Sequence, residues 1–198
     1  MSDRTTQALF TNDLNIVDGP WTAKQISGAA TTPIRSTSGL FGGVSLTETA
    51  AGAITVYDNY LWGDATTRVD ITNPAGTTAR YTYDGTGTDP LWTLALVPIG
   101  TVVTFAAQNF AAANNGTFTV TGAGANYIEV TTAAVSAEND KTIGTGNIRM
   151  GSAALTTVAV LKASIGEGDL LKRTVTLSNG LTVVTAAASK LTVYHKAA

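Results

Sequence analysis

Residues with side chains suited to catalysis are few and scattered. His195 is the single histidine of the 198-residue chain, and cysteine is absent. No serine stands in the Gly-x-Ser-x-Gly turn that presents a nucleophile. Chain order alone leaves a Ser-His-Asp triad open, because such triads occur in several orders, but no motif supports one. We therefore predict that the protein is not an enzyme, and that His195 faces solvent from the last strand.

Five aspartates form the best candidate set for holding a cation: Asp58, Asp64, Asp70, Asp84 and Asp89. A calcium loop needs oxygen donors on alternate residues and a late glutamate, and this spacing lacks that pattern. The two carboxylates of "DGTGTD" also suit turns for backbone reasons alone. A glycosidase needs two carboxylates facing across a cleft, which spacing does not reveal. We predict neither a metal nor a cofactor.

The glycines of "AANNGTFTVTGAGANYIEVTT", residues 112–132, suggest a phosphate-binding loop at first sight. The stretch has no Gly-Lys-Ser/Thr, and no helix follows on which a phosphate could rest. Asn115-Gly116 is instead a strong turn signal, because both residues tolerate positive φ. The stretch therefore predicts a β-hairpin with Phe118, Val120 and Ile128 facing a small core.

Four aromatic residues could stack on sugars: Trp62, Tyr81, Tyr83 and Trp92. Trp62 and Trp92 stand near predicted turns, where core or interface anchors are the commoner role. These residues keep a carbohydrate-binding or host-recognition module open as an alternative function.

Composition favours an all-β chain with few charges. Charged residues make up 13% of the sequence, and the net charge is −2, so no basic surface is available for nucleic acid. The abundant Thr, Val, Ile and Tyr suit a pleated surface. The N-terminus has no basic start followed by an apolar run, so we expect neither a secretory signal nor a membrane anchor. We expect synthesis in a cytoplasm.

Residues 1–35 lack sustained periodicity, which predicts an extended N-terminal arm; a disordered N-terminal tail is the alternative. Gly19-Pro20 and Thr32-Pro33 interrupt this segment. Its isolated apolar residues are candidate anchors on a partner. The predicted partner contacts are Phe10, Trp21, Ile34 and Arg35.

Two separated pieces resemble the small β-sandwich of tailed-bacteriophage head proteins. The first is "GLFGGVSLTETAAGAITVYDN", residues 39–59, and the second is "LKRTVTLSNGLTVVTAAASKLTVYHK", residues 171–196. Each piece is expected to form a hairpin. The matching positions are Ile54, Thr55, Val56, Tyr57, Asp58, Asn179, Gly180, Leu181, Thr182, Val183, Val184, Val193 and Tyr194.

The distance between these pieces predicts a split domain. Residues 36–75 and 150–198 would form a β-sandwich or barrel domain, interrupted by an inserted, small β-barrel-like module at 76–149. The middle segment "GTVVTFAAQNFAAANNGTFTVTGAGANYIEVTT" is itself similar to small β modules of phage structural proteins.

The resemblance implies a capsid decoration, or cement, protein of the virion. Such a protein would be made in the host cytoplasm, bind the major capsid protein on the outside of the head and act as a homotrimer. A tail-tube or head-tail connector subunit is the alternative within virion proteins. No catalytic residue is carried over by the resemblance.

Overall fold

A computed structural model describes residues 21–92, 96–168 and 170–197, and it confirms an all-β fold. The described chain forms strands joined by turns, with one short 3-10 helix at Ala112–Asn114. The strands are β1 (Thr22–Ser27), β2 (Ala30–Arg35), β3 (Gly39–Leu46), β4 (Ile54–Tyr57), β5 (Leu61–Trp62), β6 (Arg68–Ala75), β7 (Thr78–Tyr83), β8 (Val102–Ala106), β9 (Gly116–Ala123), β10 (Tyr127–Thr131), β11 (Glu138–Thr142), β12 (Asn147–Met150), β13 (Thr157–Leu161), β14 (Leu170–Leu177), β15 (Leu181–Thr185) and β16 (Lys190–Ala197).

The chain divides into two compact units, of which the first uses two separated stretches of sequence. It contains the described residues up to Asp58 together with those from Thr156 onwards, and the second unit is Asn59–Leu155. The sequence predicts the first boundary between residues 75 and 76. That position is wrong because β6 pairs with β7 and β11, which are strands of the second unit.

The first unit is a sandwich of two four-stranded antiparallel sheets. One sheet has the order β1-β16-β3-β14, and the other has the order β13-β4-β15-β2. Alternate apolar residues of both sheets meet in one core, as the period of a half-buried strand requires. The core is closed by fully buried side chains such as Phe41, Val44, Ile54, Val56, Leu177, Leu181, Val183 and Val193.

Consecutive strands of this sandwich lie in different sheets, apart from β4 and β13, which flank the second unit. Each of four successive couples of strands has one strand in each sheet, namely β1 and β2, β3 and β4, β13 and β14, and β15 and β16. These couples occur in the same spatial order in both sheets. The connections are therefore arches between sheets. The hairpins expected within 39–59 and 171–196 are wrong, because β3 pairs with β14 and β16, whereas β15 pairs with β2 and β4.

The predicted N-terminal arm is also wrong over its described part. β1 pairs with β16, and β2 pairs with β15, so each forms an edge strand of one sheet. Their weak apolar pattern has a physical reason. An edge strand buries little surface, and Ile26 is the one buried residue of β1. Residues 1–20 of the predicted arm lie outside the described residues.

The second unit begins and ends at neighbouring strands of the sandwich. β4 leads into it and β13 leads out of it, and these two strands pair antiparallel. The N–H of Asp58 donates to the carbonyl of Thr156 at 2.9 Å, just where the second unit departs. The insertion thus occupies the place of a turn between two paired strands.

The second unit is one antiparallel sheet of eight strands that curls around its own core. The order is β11-β6-β7-β10-β9-β8-β12-β5, and the sheet does not close, so the module is consistent with the expected barrel-like fold without being a closed barrel. Tyr81 stacks on Phe105 with the ring centroids 3.9 Å apart. Trp62 and Trp92 lie in the same core.

Asn115 supports the β8–β9 connection through its side chain, which differs from the predicted turn role. Its φ is −97°, an ordinary extended value, whereas Gly116 has a φ of 148°. The Asn115 side chain accepts from the N–H of Ala107 at 2.9 Å and donates to the carbonyl of Ala107 at 3.0 Å. The amide therefore acts like a strand partner and holds the nine-residue connection, residues 107–115, in place.

Candidate partner-contact site

An aromatic and cationic cluster lies where residue 21 joins the sandwich. We call Trp21, Arg35, Gly42, His195 and Lys196 the Trp21 cluster. A Cβ on Gly42 would lie 2.5 Å from Cζ3 of Trp21, so the indole rests directly on the glycine. Lys196 Nζ lies 5.5 Å from the centroid of the indole, within the range of a cation–π contact.

Arg35 forms the second cationic part of the cluster. Its Nη2 donates to Thr37 Oγ1 and to the carbonyl of Ser38, each at 2.9 Å. Nε is buried without a hydrogen-bond partner, and a Cβ on Gly39 would lie 2.7 Å from it. Among the described residues Arg35 has no ion pair, so its charge is not neutralised within the described chain.

His195 is buried with 9% of its surface exposed, so the prediction that it faces solvent is wrong. Its register partner in β3 is the fully buried Phe41, and a bulge between Tyr194 and His195 sets this register. Burial lowers the pKa of His195, and the nearby charge of Arg35 lowers it further. With Nδ1 unpartnered, the side chain is a neutral core residue beneath the cluster.

The predicted contact residues have different environments. Trp21 rests on Gly42 beside Lys196, whereas Arg35 lies beside Gly39 and near His195, and each of the two is half-buried. Ile34 is partly buried and packs against the sandwich core. Phe10 lies outside the described residues. Sequence analysis missed Gly42, His195 and Lys196, because their proximity depends on the long-range pairing of β16 with β3 and on the bulge at Gly42 of β3.

The five aspartates accept hydrogen bonds from backbone N–H groups, four of them in turns or arches and Asp70 from the neighbouring strand β11. Asp58, 8% exposed, accepts from the N–H groups of Ser178 and Asn179 at 2.8–3.0 Å and thereby fixes the β14–β15 arch. The other carboxylates accept N–H groups in the same way: Asp64 from Thr66 and Thr67, Asp70 from Asp140, Asp84 from Thr86, and Asp89 from Leu91.

Asp64 carries the most hydrogen bonds of this set. Burial raises its pKa, but hydrogen bonds from the hydroxyls of Thr66 and Thr88 and from backbone N–H groups outweigh burial and leave the pKa lowered. The carboxylate is therefore held ionised by its own turn. Within residues 21–92, 96–168 and 170–197, no three His, Cys, Asp or Glu side chains could together hold a metal ion.

The aromatic platform proposed for sugars is not present as a set. Trp62, Tyr81 and Trp92 are each at most 2% exposed, and the Tyr81 hydroxyl donates to the carbonyl of Asn114 at 2.8 Å. Only Tyr83 of the four remains partly exposed, with its hydroxyl donating to the carbonyl of Gly87. Burial in the second core thus explains why these residues are large and aromatic.

Comparisons with known proteins give no relative. No family model, no curated protein and no solved structure matches the chain. None of the helices in the described ranges is long and apolar enough to cross a membrane.

Proposed function

We propose that the protein is a structural component of a phage virion, a decoration protein that binds the outer surface of the head. The observation that carries the proposal is the Trp21 cluster. It combines an aromatic ring with two cationic side chains beside the start of the described chain. Trp and Arg are the residue types that concentrate binding energy at interfaces. The sequence resemblance to phage head proteins supplies the identity of the partner.

The fold is compatible with a protein that acts through its binding free energy alone. A protein that binds only the assembled shell stabilises it by its binding free energy at each occupied site. Such a protein needs a stable scaffold and a contact surface, and it needs no catalytic group. The sandwich supplies the scaffold, and Arg35 supplies a cationic group without an intramolecular ion pair among the described residues.

The proposal is tested by cosedimentation with phage heads that lack decoration. Purified chain should pellet with expanded heads, whereas Arg35→Ala should pellet at least about tenfold less, the loss of roughly 1.4 kcal/mol of binding. Lys24→Ala is the matched control, because Lys24 is an exposed cation of β1. Thermal unfolding of each variant shows whether the sandwich stays intact. Equal pelleting of Arg35→Ala and native chain would contradict the role of the cluster.

A second experiment tests the partner rather than the site. Mass spectrometry of virions from the source should give a copy number near that of the major capsid protein. A handful of copies would instead indicate a connector or a tip protein, and ring-shaped oligomers in electron micrographs would indicate a tail tube. Selective binding on a glycan array would indicate host recognition.

A further inference from the structure

Strand β13 is an edge strand that lacks the usual protection against pairing. Among the strands that the structure describes, the four edges of the sandwich are β1, β14, β13 and β2. Natural edges are blunted by charged residues or proline, because an unpaired row of N–H and C=O groups accepts another strand. β1 contains Lys24, β2 contains Pro33 and Arg35, and β14 contains Lys172 and Arg173. β13, with the sequence TVAVL, contains neither a charge nor a proline.

The side chains of β13 make this edge apolar as well as open. Val160 is 59% exposed, and among the first-unit residues whose burial the structure describes, no other large hydrophobic side chain is exposed. Its neighbour across the pair with β4 is Thr55, so the strand beside it is uncharged too. A bulge near Val158 leaves Ala159–Leu161 as the regular part of the strand, with Val160 at its centre.

We propose that β13 pairs antiparallel with β13 of a second copy of this chain, about a two-fold axis at Val160. The pairing would join two four-stranded sheets into one eight-stranded sheet. An isologous contact places every residue near its own copy, so it favours a strand that carries no charge. The nearest flanking cation is Lys162. In this register the two Lys162 residues lie about 13 Å apart along the strands, beyond the screening length of about 10 Å at 0.1 M salt.

The register makes a direct geometric prediction. Residues opposite one another in an antiparallel pair have their Cβ atoms about 4.5–5.5 Å apart. Val160→Cys should therefore form an intermolecular disulfide under mild oxidation. The native chain has no cysteine, so any disulfide dimer must come from the introduced residue. Gln25→Cys is the matched control, since Gln25 is an exposed residue of β1, an edge strand that contains the charged Lys24.

The affinity is tested by sedimentation equilibrium of the full chain and two variants. The native chain should dimerise, and Val160→Thr should dimerise about as well because it keeps a β-branched, uncharged side chain. Val160→Lys places two like charges opposite each other, which destabilises a cross-strand pair. It should raise the Kd at least about tenfold, corresponding to 1.4 kcal/mol. Because Val160 is exposed, all variants should share one unfolding temperature at concentrations low enough to keep every chain monomeric, whereas the dimer adds stability at higher concentration.

Several outcomes would overturn the proposal. The proposal is wrong if the native chain stays monomeric up to millimolar concentration or forms a trimer in place of a dimer. It is also wrong if Val160→Lys leaves the Kd of the dimer unchanged. Equal crosslinking of Val160→Cys and Gln25→Cys would contradict it as well. The inference does not rest on the proposed virion role, because self-association is measured without any head shell.

Discussion

The N–H of Asp58 donates to the carbonyl of Thr156 at 2.9 Å, although 97 residues lie between them in sequence. This bond continues the pairing of β4 with β13 and marks both ends of the second unit. The ends of the insertion are thus held as close as the ends of a hairpin turn. The sandwich does not need the second unit to bring its strands together.

Removal of the second unit should leave a folded sandwich. We expect a variant that joins Asp58 to Thr156 through a two-residue Asn-Gly turn to keep its β circular dichroism and to unfold cooperatively. The physical reason is that such a turn matches the twist of two paired antiparallel strands. The hydrophobic core of the sandwich contains no residue of Asn59–Leu155, so the shortened variant keeps every member of that core.

Residues 59–155 expressed alone provide the companion measurement. This segment has its own core with Trp62 and Trp92, so its unfolding should be followed by a red shift of tryptophan emission. An excised sandwich that aggregates or lacks a cooperative transition would show that the two units depend on each other for folding.

The all-β class could be predicted from sequence because it depends on local features, namely alternation and turn residues. The pairing of strands could not. Each prediction of a hairpin assumed that neighbouring strands pair, yet β3 and β4 lie in different sheets. A connection such as "TETAAGA" is compatible with a hairpin and with an arch, because both connections use small and polar residues. Only the long-range partners distinguish the two.

The Trp21 cluster likewise has some features that residue type predicts and others that depend on long-range pairing. Trp21 and Arg35 are recognisable by residue type, but the sequence gives no reason to place Lys196 beside them. The expected solvent exposure of His195 is wrong for a related reason, since its burial depends on its long-range register with β3. The core role, the commoner of those expected for Trp62 and Trp92, likewise depends on distant partners. Trp92 follows a turn-rich segment, and its burial comes from contacts such as the edge-to-face packing on Phe105.

Substitution of Gly42 should displace Trp21. A Cβ at residue 42 would lie 2.5–2.9 Å from three atoms of the indole, so Gly42→Ala forces the ring to move. We expect a larger fraction of tryptophan fluorescence to be quenched by acrylamide, because Trp62 and Trp92 are buried and stay protected. Ser45→Ala on the same strand is the control. Identical quenching of Gly42→Ala and the native chain would show that the indole does not pack there.

Replacement of Asp58 by alanine should lower the free energy of unfolding by about 1–3 kcal/mol, because the N–H groups of Ser178 and Asn179 lose a buried acceptor. Urea unfolding checks this value. Asp84→Ala is the control, since Asp84 accepts a single N–H group in an exposed turn and should cost less. A similar small loss in both variants would mean that the β14–β15 arch does not depend on Asp58.

The stability of the sandwich should fall on mild acidification because of His195. Burial, and then Arg35, lower the pKa of this side chain in the folded state, whereas the unfolded chain keeps a value of about 6.5. Below that value the unfolded chain binds more protons than the folded chain. The contribution of the neutral His195 is therefore complete above about pH 6.5 and is lost as the pH falls from there through the lowered pKa.

The slope can be at most about 1.4 kcal/mol per pH unit for one proton. Because His195 is the only histidine, the comparison with His195→Phe between pH 7.5 and 5.5 isolates its titration from that of the carboxylates. We expect the native chain to lose stability over this range in urea unfolding and the variant to change less. Equal slopes would mean that His195 becomes protonated in the folded sandwich as easily as in the unfolded chain, despite its burial beside Arg35.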